Sequence, residues 1–153
     1  MKRSYLIISL VLFVALLWQI PRPELSNPPV VSKHDLLYRH PAPNSTAQLL
    51  RAACYDCHSH QTIWPCYAQL NPLSDFIEGH VRHGRSELNF SQWQEISAED
   101  IDEVGEACAK LIKNHSMPMA SYLWLHPEAR LSPAQRAELV DYFLTLKAYP
   151  DEN

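Results

Sequence analysis

Cys54-Tyr55-Asp56-Cys57-His58 places two thiols three residues apart and an imidazole directly after the second. This is the C-x-x-C-H haem-attachment pattern. On a single turn, two thiols so spaced can add to the two vinyl groups along one haem edge. The histidine then lies under the ring, where its imidazole can ligate iron. Such a link keeps the cofactor bound in either oxidation state and spares a small domain a deep cavity. Other chemistries share these residues. A C-x-x-C pair serves thiol–disulfide exchange, but in a thioredoxin-like βαβ setting. Cys54, Cys57, His58 and His60 also resemble half of a zinc site, whose other ligands come from a second cluster. Cys66 and Cys108 stand alone, so no such cluster is visible, and chance occurrence of the motif is the remaining alternative. The expectation is one covalent haem c, with Cys54 and Cys57 as thioether residues and His58 as proximal iron ligand.

Outward from the motif, apolar residues recur at helical spacing. Leu49, Leu50 and Ala53 share a face of a helix over about Thr46 to Cys54, which leads into the motif. Asn71 as N-cap and Pro72 at the first position open a second helix, ending near Gly84. It carries Leu73, Phe76, Ile77 and Val81. Ser97 with Asp100 three residues later has the form of a capping box. It opens a third helix with Ile101, Val104, Cys108, Leu111 and Ile112. Ser132, Pro133 and Gln135 repeat the start signal for a fourth, with Leu139, Val140, Phe143, Leu144 and Leu146. No segment alternates with period two, and the chain has only 3 glycines, too few for a turn-rich β fold or a glycine-rich phosphate loop. The expected fold is all-α. Short helices over roughly a hundred residues bury a modest core, and a large flat apolar cofactor would fill the middle.

Lys2 and Arg3 precede an apolar run from Tyr5 to Ile20, the layout of an export signal. No small-x-small cleavage site follows. Residues 1–21 are therefore expected to be an uncleaved signal anchor, with a cleaved signal peptide or a buried core helix as alternatives. A helix over Ser4 to Ile20 would span roughly 25 Å, slightly short of the ~30 Å hydrocarbon core. Tyr5 and Trp18 would sit near its ends as interfacial anchors. As an anchor or a signal peptide it sends the rest of the chain across the inner membrane to the periplasmic side, and as an anchor it makes the membrane a partner. Half of the 12 prolines fall between Pro21 and Pro43, and residues 22–43 are expected as a semi-extended linker or wrapping arm, not a helix. Residues 44–149 form the domain. With 153 residues, 46% of them apolar and 20% charged, one domain is expected. The net charge of −4 and the lack of a basic stripe argue against nucleic-acid binding.

The ordered motifs carry a closer likeness. After Cys54-Tyr55-Asp56-Cys57-His58-Ser59 come Trp64-Pro65-Cys66-Tyr67, His80-Val81, Gly84-Arg85, Leu88-Asn89-Phe90-Ser91 and Trp93. Met117-Pro118, Tyr122 and the run from Leu125 to Ser132 come after them. From about Leu49 to Phe143 the chain resembles the bacterial haem-binding domain family of small exported C-x-x-C-H proteins. The resemblance implies a monohaem, cytochrome c-like helical domain. It settles cofactor and fold better than biochemical role. Cys66 departs from the pattern, which usually has a second tryptophan there.

Met117-Pro118-Met119 lies in a loop between helices, where a distal ligand could approach the far face of the ring. A thioether opposite histidine raises the potential and suits electron transfer. Met117 is favoured, and the Met-Pro pair of the resembled family adds to it. Met119 and His115 are the alternatives, as is plain packing of both methionines. Trp64 and Tyr67 are expected against the ring. His80 and Arg85 are candidates for the haem environment, Arg85 and Arg82 through propionates. His34, His60 and His83 read as surface residues, and His126 as structural at a turn before Pro127. Cys66 and Cys108 are a candidate disulfide, in an oxidising compartment, with two free thiols as the rival. Two functions are compatible with this pattern. The first is a tethered monohaem cytochrome passing single electrons between periplasmic or membrane partners, and not an enzyme. The second is a haem sensor or peroxidase-like enzyme with an open distal position.

Overall fold

The computed structural model describes residues 2–18 and 23–146. Among them every regular element is a helix, and no strand is present. α1 covers Lys2–Trp18, α2 Leu36–Arg39, α3 Asn44–Ala53, α4 Tyr55–His58 and α5 Leu73–Glu87. α6 covers Ile101–Lys113, α7 Ala120–Leu123 and α8 Pro133–Leu144. Short 3-10 turns at Ser32–His34, Cys66–Gln69, Phe90–Glu95 and Pro127–Ala129 join them.

Local chemistry sets several of these ends. Ser132 Oγ accepts from the Gln135 backbone N–H and Gln135 Oε1 accepts from that of Ser132, a complete capping box with Pro133 in the first turn. α6 starts differently from expectation. Ser97 Oγ donates to the Asp100 carboxylate at 2.6 Å, so this pair bridges itself just ahead of Ile101 instead of capping backbone amides. α5 runs past Gly84 to Glu87. Gly84 is not a stop signal there, because a Cβ on it would lie 2.6 Å from the Cys57 carbonyl oxygen. The missing side chain lets α5 lie directly on the motif turn.

The core sits where α8 crosses α6 and meets α3. Leu50, Trp93, Ile112, Leu139 and Phe143 are all buried there. The crossing is close: a Cβ on Gly105 would lie 2.5 Å from the Phe143 carbonyl oxygen. The proline-rich arm belongs to this core. Leu36 is fully buried, in a short helix where the sequence reading expects none. Asp35 caps that helix through Leu37 N and also accepts from Tyr55 Oη at 2.8 Å and Gln61 Nε2 at 3.1 Å. Proline content outweighed an N-cap acid followed by two leucines. The arm wraps, and its end is folded.

α1 stands where the export signal was expected, with apolar side chains from Tyr5 to Trp18 exposed. It has 17 residues. Among the described residues no helix is long and apolar enough to cross a membrane. Residues 19–22, and the expected domain end at Tyr149, lie outside the described residues.

Candidate cofactor site

Cys54 ends α3, and its carbonyl accepts from both Cys57 N and His58 N, which winds the motif into the single turn of α4. Asp56 then ties that turn to the loop after it and to α7. Its Oδ1 accepts from Ile63 N at 2.9 Å, its carbonyl from Thr62 Oγ1 at 2.6 Å, and its Oδ2 from Tyr122 Oη at 2.8 Å. Arg85 clamps the same loop: Nε donates to the Ser59 carbonyl, and Nη2 to Thr62 Oγ1 and to Asn27 Oδ1 of the arm. The guanidinium expected at a propionate therefore holds backbone and arm together. Arg82 pairs with Glu78 on the exposed face of α5. His60 is not simply solvated either, since Nδ1 meets the Pro29 carbonyl and Nε2 accepts from Asn89.

Beside the motif opens a cavity of about 420 Å³, within the ~300–1,000 Å³ of ligand sites. Cys57 and Asp56 line it from α4, and Ile77, His80 and Val81 from α5. Tyr67, Met119, Tyr122, Trp124 and His126 line the rest. The walls are apolar apart from a few polar tips. Cys54 and His58 are not among the lining residues. Cys54 packs against the core next to Cys108, and His58 lies 5.8 Å from the Phe90 ring.

The protonation of the motif discriminates between chemistries. Burial pushes the Cys54 thiol up to about 12, with Cys108 and Cys57 adding to it. Burial likewise pushes Cys57 up to about 11. Thiol–disulfide exchange needs a thiol lowered to roughly 3.5–7.5, so these are not activated thiolates. Burial also lowers the His58 imidazole pKa, with the Leu88 and Gly84 carbonyls opposing, which keeps it neutral at pH 7. Its Nδ1 lies 3.0 Å from the Leu88 carbonyl oxygen. A carbonyl only accepts, so Nδ1 carries the proton and Nε2 keeps a lone pair, the tautomer a metal-ligating histidine requires. No cluster of three or more His, Cys, Asp or Glu able to hold a metal ion exists among the described residues, and the zinc reading loses its support.

The sequence candidates separate around this cavity. Tyr67 and His80 line it; Trp64, between lining residues Ile63 and Pro65, does not. Met119 lines it and Met117 does not. Arg136 explains the difference: Nη1 donates to the Ile112 and Met117 carbonyls at 2.6 and 3.1 Å, pinning Met117 beside the end of α6. His115 is exposed with φ 63°, the left-handed residue that ends α6. Cys66 and Cys108 are unbridged, contrary to expectation. Cys66 is exposed on its 3-10 turn, whereas Cys108 faces the core from α6. His126, Tyr122 and Asp56 were not singled out as site residues. The spacing of Tyr122 and His126, four apart, was the available signal, since it stacks their rings at 4.0 Å.

These residues fit a haem. An apolar slot, a free thiol on its wall, a neutral imidazole of fixed tautomer and a thioether suit a flat apolar tetrapyrrole with iron. The buried Trp64 Nε1 has no hydrogen-bond partner among the described residues. Fold and site together define a small all-helical haem-binding domain. The model of the haem-binding domain family matches residues 13–145, and the chain belongs to that family. No curated protein and no solved structure matches the chain.

Proposed function

We propose that the chain carries single electrons through one haem c, which Cys54 and Cys57 would hold by thioethers and whose iron His58 and Met119 would ligate. The N-terminal segment exports the domain and tethers it to the outer side of a bacterial-type inner membrane. What supports this reading is the apolar cavity beside the motif turn, with Cys57 and the Met119 thioether among its lining residues, and His58, the residue after Cys57, held by the Leu88 carbonyl in the tautomer whose Nε2 is free. The haem supplies a one-electron couple, and thioether ligation raises its potential. The chain's residues do the rest. Leu88 holds the His58 tautomer, Gly84 seats α5 on the motif, and Ile77, Val81, Tyr122 and Trp124 give the cavity its apolar lining.

Peroxidase staining of denatured protein, made in cells with a haem-maturation system, tests the attachment. The stain should persist in the wild type and vanish in the double variant Cys54→Ala/Cys57→Ala. A stain retained in that variant sinks the covalent reading. Spectra with and without carbon monoxide test the sixth ligand. Met119→Ala should admit carbon monoxide and Met117→Ala should not; the reverse pattern moves the ligand by two residues. Carbonate washing tests the tether, because hydrophobic attachment resists it.

A further inference from the structure

His80 and His126 both line the cavity, and they differ in what they leave free. Both nitrogens of His126 are engaged: Nδ1 lies 3.0 Å from Glu128 Oε1, and Nε2 lies 2.9 Å from Tyr67 Oη. His80 has a single hydrogen bond. Its Nδ1 lies 2.7 Å from the Phe76 carbonyl oxygen, one turn back along α5. A carbonyl only accepts, so Nδ1 carries the proton, and in the neutral ring Nε2 keeps its lone pair. No group among the described residues meets that nitrogen. A ring that gives its other N–H to a backbone carbonyl is the form in which proteins present histidine to a metal. The Phe76 ring, 4.2 Å away between centroids, packs against the imidazole.

Two separate fastenings bring His80 and Met119 to the same motif turn. His80 and Gly84 are four apart on one face of α5. Gly84 is where α5 touches the motif, since a Cβ there would lie 2.6 Å from the Cys57 carbonyl oxygen. The imidazole therefore leaves α5 about one helical pitch, ~5.4 Å, from that contact. Met119 stands just before α7, and its carbonyl accepts from Tyr122 N and Leu123 N. Tyr122 Oη in turn donates to Asp56 Oδ2 at 2.8 Å, which ties α7 to the residue beside Cys57. The cavity wall thus offers one nitrogen and one sulfur donor. Their preferences differ: a thioether favours ferrous iron and raises the potential, and an imidazole in its place favours ferric iron.

We propose that His80 and Met119 exchange as the sixth ligand of the iron, Nε2 of His80 on the ferric state and Sδ of Met119 on the ferrous state. This deepens the electron-carrier reading above and rests on it. On reduction, one electron from a one-electron donor takes the iron from ferric to ferrous. The bond to His80 Nε2 breaks with its electron pair returning to the ring, and a bond to Met119 Sδ forms. No proton moves, and reoxidation reverses each step. His80 draws the potential down, because it stabilises the ferric state alone. Carbon monoxide, like the thioether, prefers ferrous iron and takes the place of the imidazole there, so Met119→Ala still admits it.

Spectra and potentials of the haem-loaded full chain test the exchange. The ferric wild type should lack the sulfur-to-iron charge-transfer band and show the spin-resonance spectrum of two nitrogen ligands. His80→Ala should gain the band and a higher midpoint potential, and added imidazole should restore the wild-type ferric spectrum. His80→Gln, which keeps a polar side chain on α5, should match His80→Ala, which separates a lost ligand from a disturbed helix. Met119→Ala should leave the ferric spectrum unchanged and lower the potential. The band in the ferric wild type, or a ferric spectrum that neither His80 variant changes, overturns the proposal. A ferric spectrum altered by His126→Gln and not by His80→Ala overturns it too, and gives the nitrogen to His126. A wild type without haem stain removes the electron-carrier reading and this one with it, whereas a stained wild type carrying the ferric band removes this one alone.

Discussion

Where α8 lies on α6, Leu139 is 0% exposed and Phe143 2%; around the cavity mouth, Ile63 is 78% exposed and Trp124 77%. The two regions use similar residues and differ in what covers them. α6 and α8 have 13 and 12 residues, long enough for each to bury a stripe of the other. α7 has 4 residues and the neighbouring 3-10 turns are as short, so no helix face is available to close over Phe76, Trp124 and Leu125. One half of the domain completes its core with chain. The other leaves contiguous apolar surface around a cavity, the mark of a binding site, and haem is the body we propose for it.

The sharpest way to break that contrast is to damage the completed half. Phe143→Ala should cost about 3–5 kcal/mol, the range for deleting a buried phenylalanine ring, read as a lower urea midpoint. A loss under about 1 kcal/mol would mean that this half is no better packed than the other. Gly84→Ala comes next, at the seam between the halves. Its new Cβ meets a backbone oxygen 2.6 Å away, which no rotamer change relieves. Overpacking of this kind costs roughly 1–3 kcal/mol, and because the oxygen belongs to Cys57, haem staining should fall as well. Gly79→Ala is the control. Nothing lies within 4 Å of its added Cβ, and alanine is favoured by roughly 0.5–1 kcal/mol inside a helix. Gly84→Ala matching Gly79→Ala in stability and in stain would remove the close approach as a cause.

His115→Gly should have a smaller effect, and a favourable one. A non-glycine residue in the left-handed region costs roughly 1–2 kcal/mol, partly offset by the ~0.5–1 kcal/mol that glycine loses in backbone freedom. The melting temperature should hold or rise slightly, with the haem spectrum unchanged. A spectral shift toward an open distal site would return His115 to the ligand candidates.

What was legible in the sequence divides along the same seam. The all-helical class, the α8 cap and the Leu139–Phe143 face were readable because each depends on neighbours three or four residues away. The haem-binding assignment was readable because C-x-x-C-H packs its chemistry into five residues. Features set by tertiary packing were not. Gly84 has the composition of a helix stop and acts as a contact. Which thioether faces the cavity depends on Arg136 gripping the Met117 carbonyl, a bond between residues 19 apart. Cys66 and Cys108 share a plausible compartment for a bridge, yet one lies on the turn beside α5 and the other against the core. The Asp35 cap was visible but was masked by the prolines around it.

Trp124→Ser should have the smallest effect on the protein alone and so bears most directly on the unfinished half. An indole 77% exposed contributes little burial, and surface substitutions of this kind stay within about 0.5 kcal/mol. The haem-free chain should therefore unfold at nearly the wild-type denaturant concentration. With haem present the balance changes, because the cofactor would cover the indole and gain its contacts. Loss of that cover should let water and small ligands reach the cavity more readily, seen as faster carbon monoxide uptake by a Met119→Ala background carrying Trp124→Ser. Equal uptake rates with and without the indole would mean that Trp124 is ordinary surface. A large loss of stability in the haem-free chain would mean instead that the rim is already packed by chain. Either result would erase the difference between the two halves at this position.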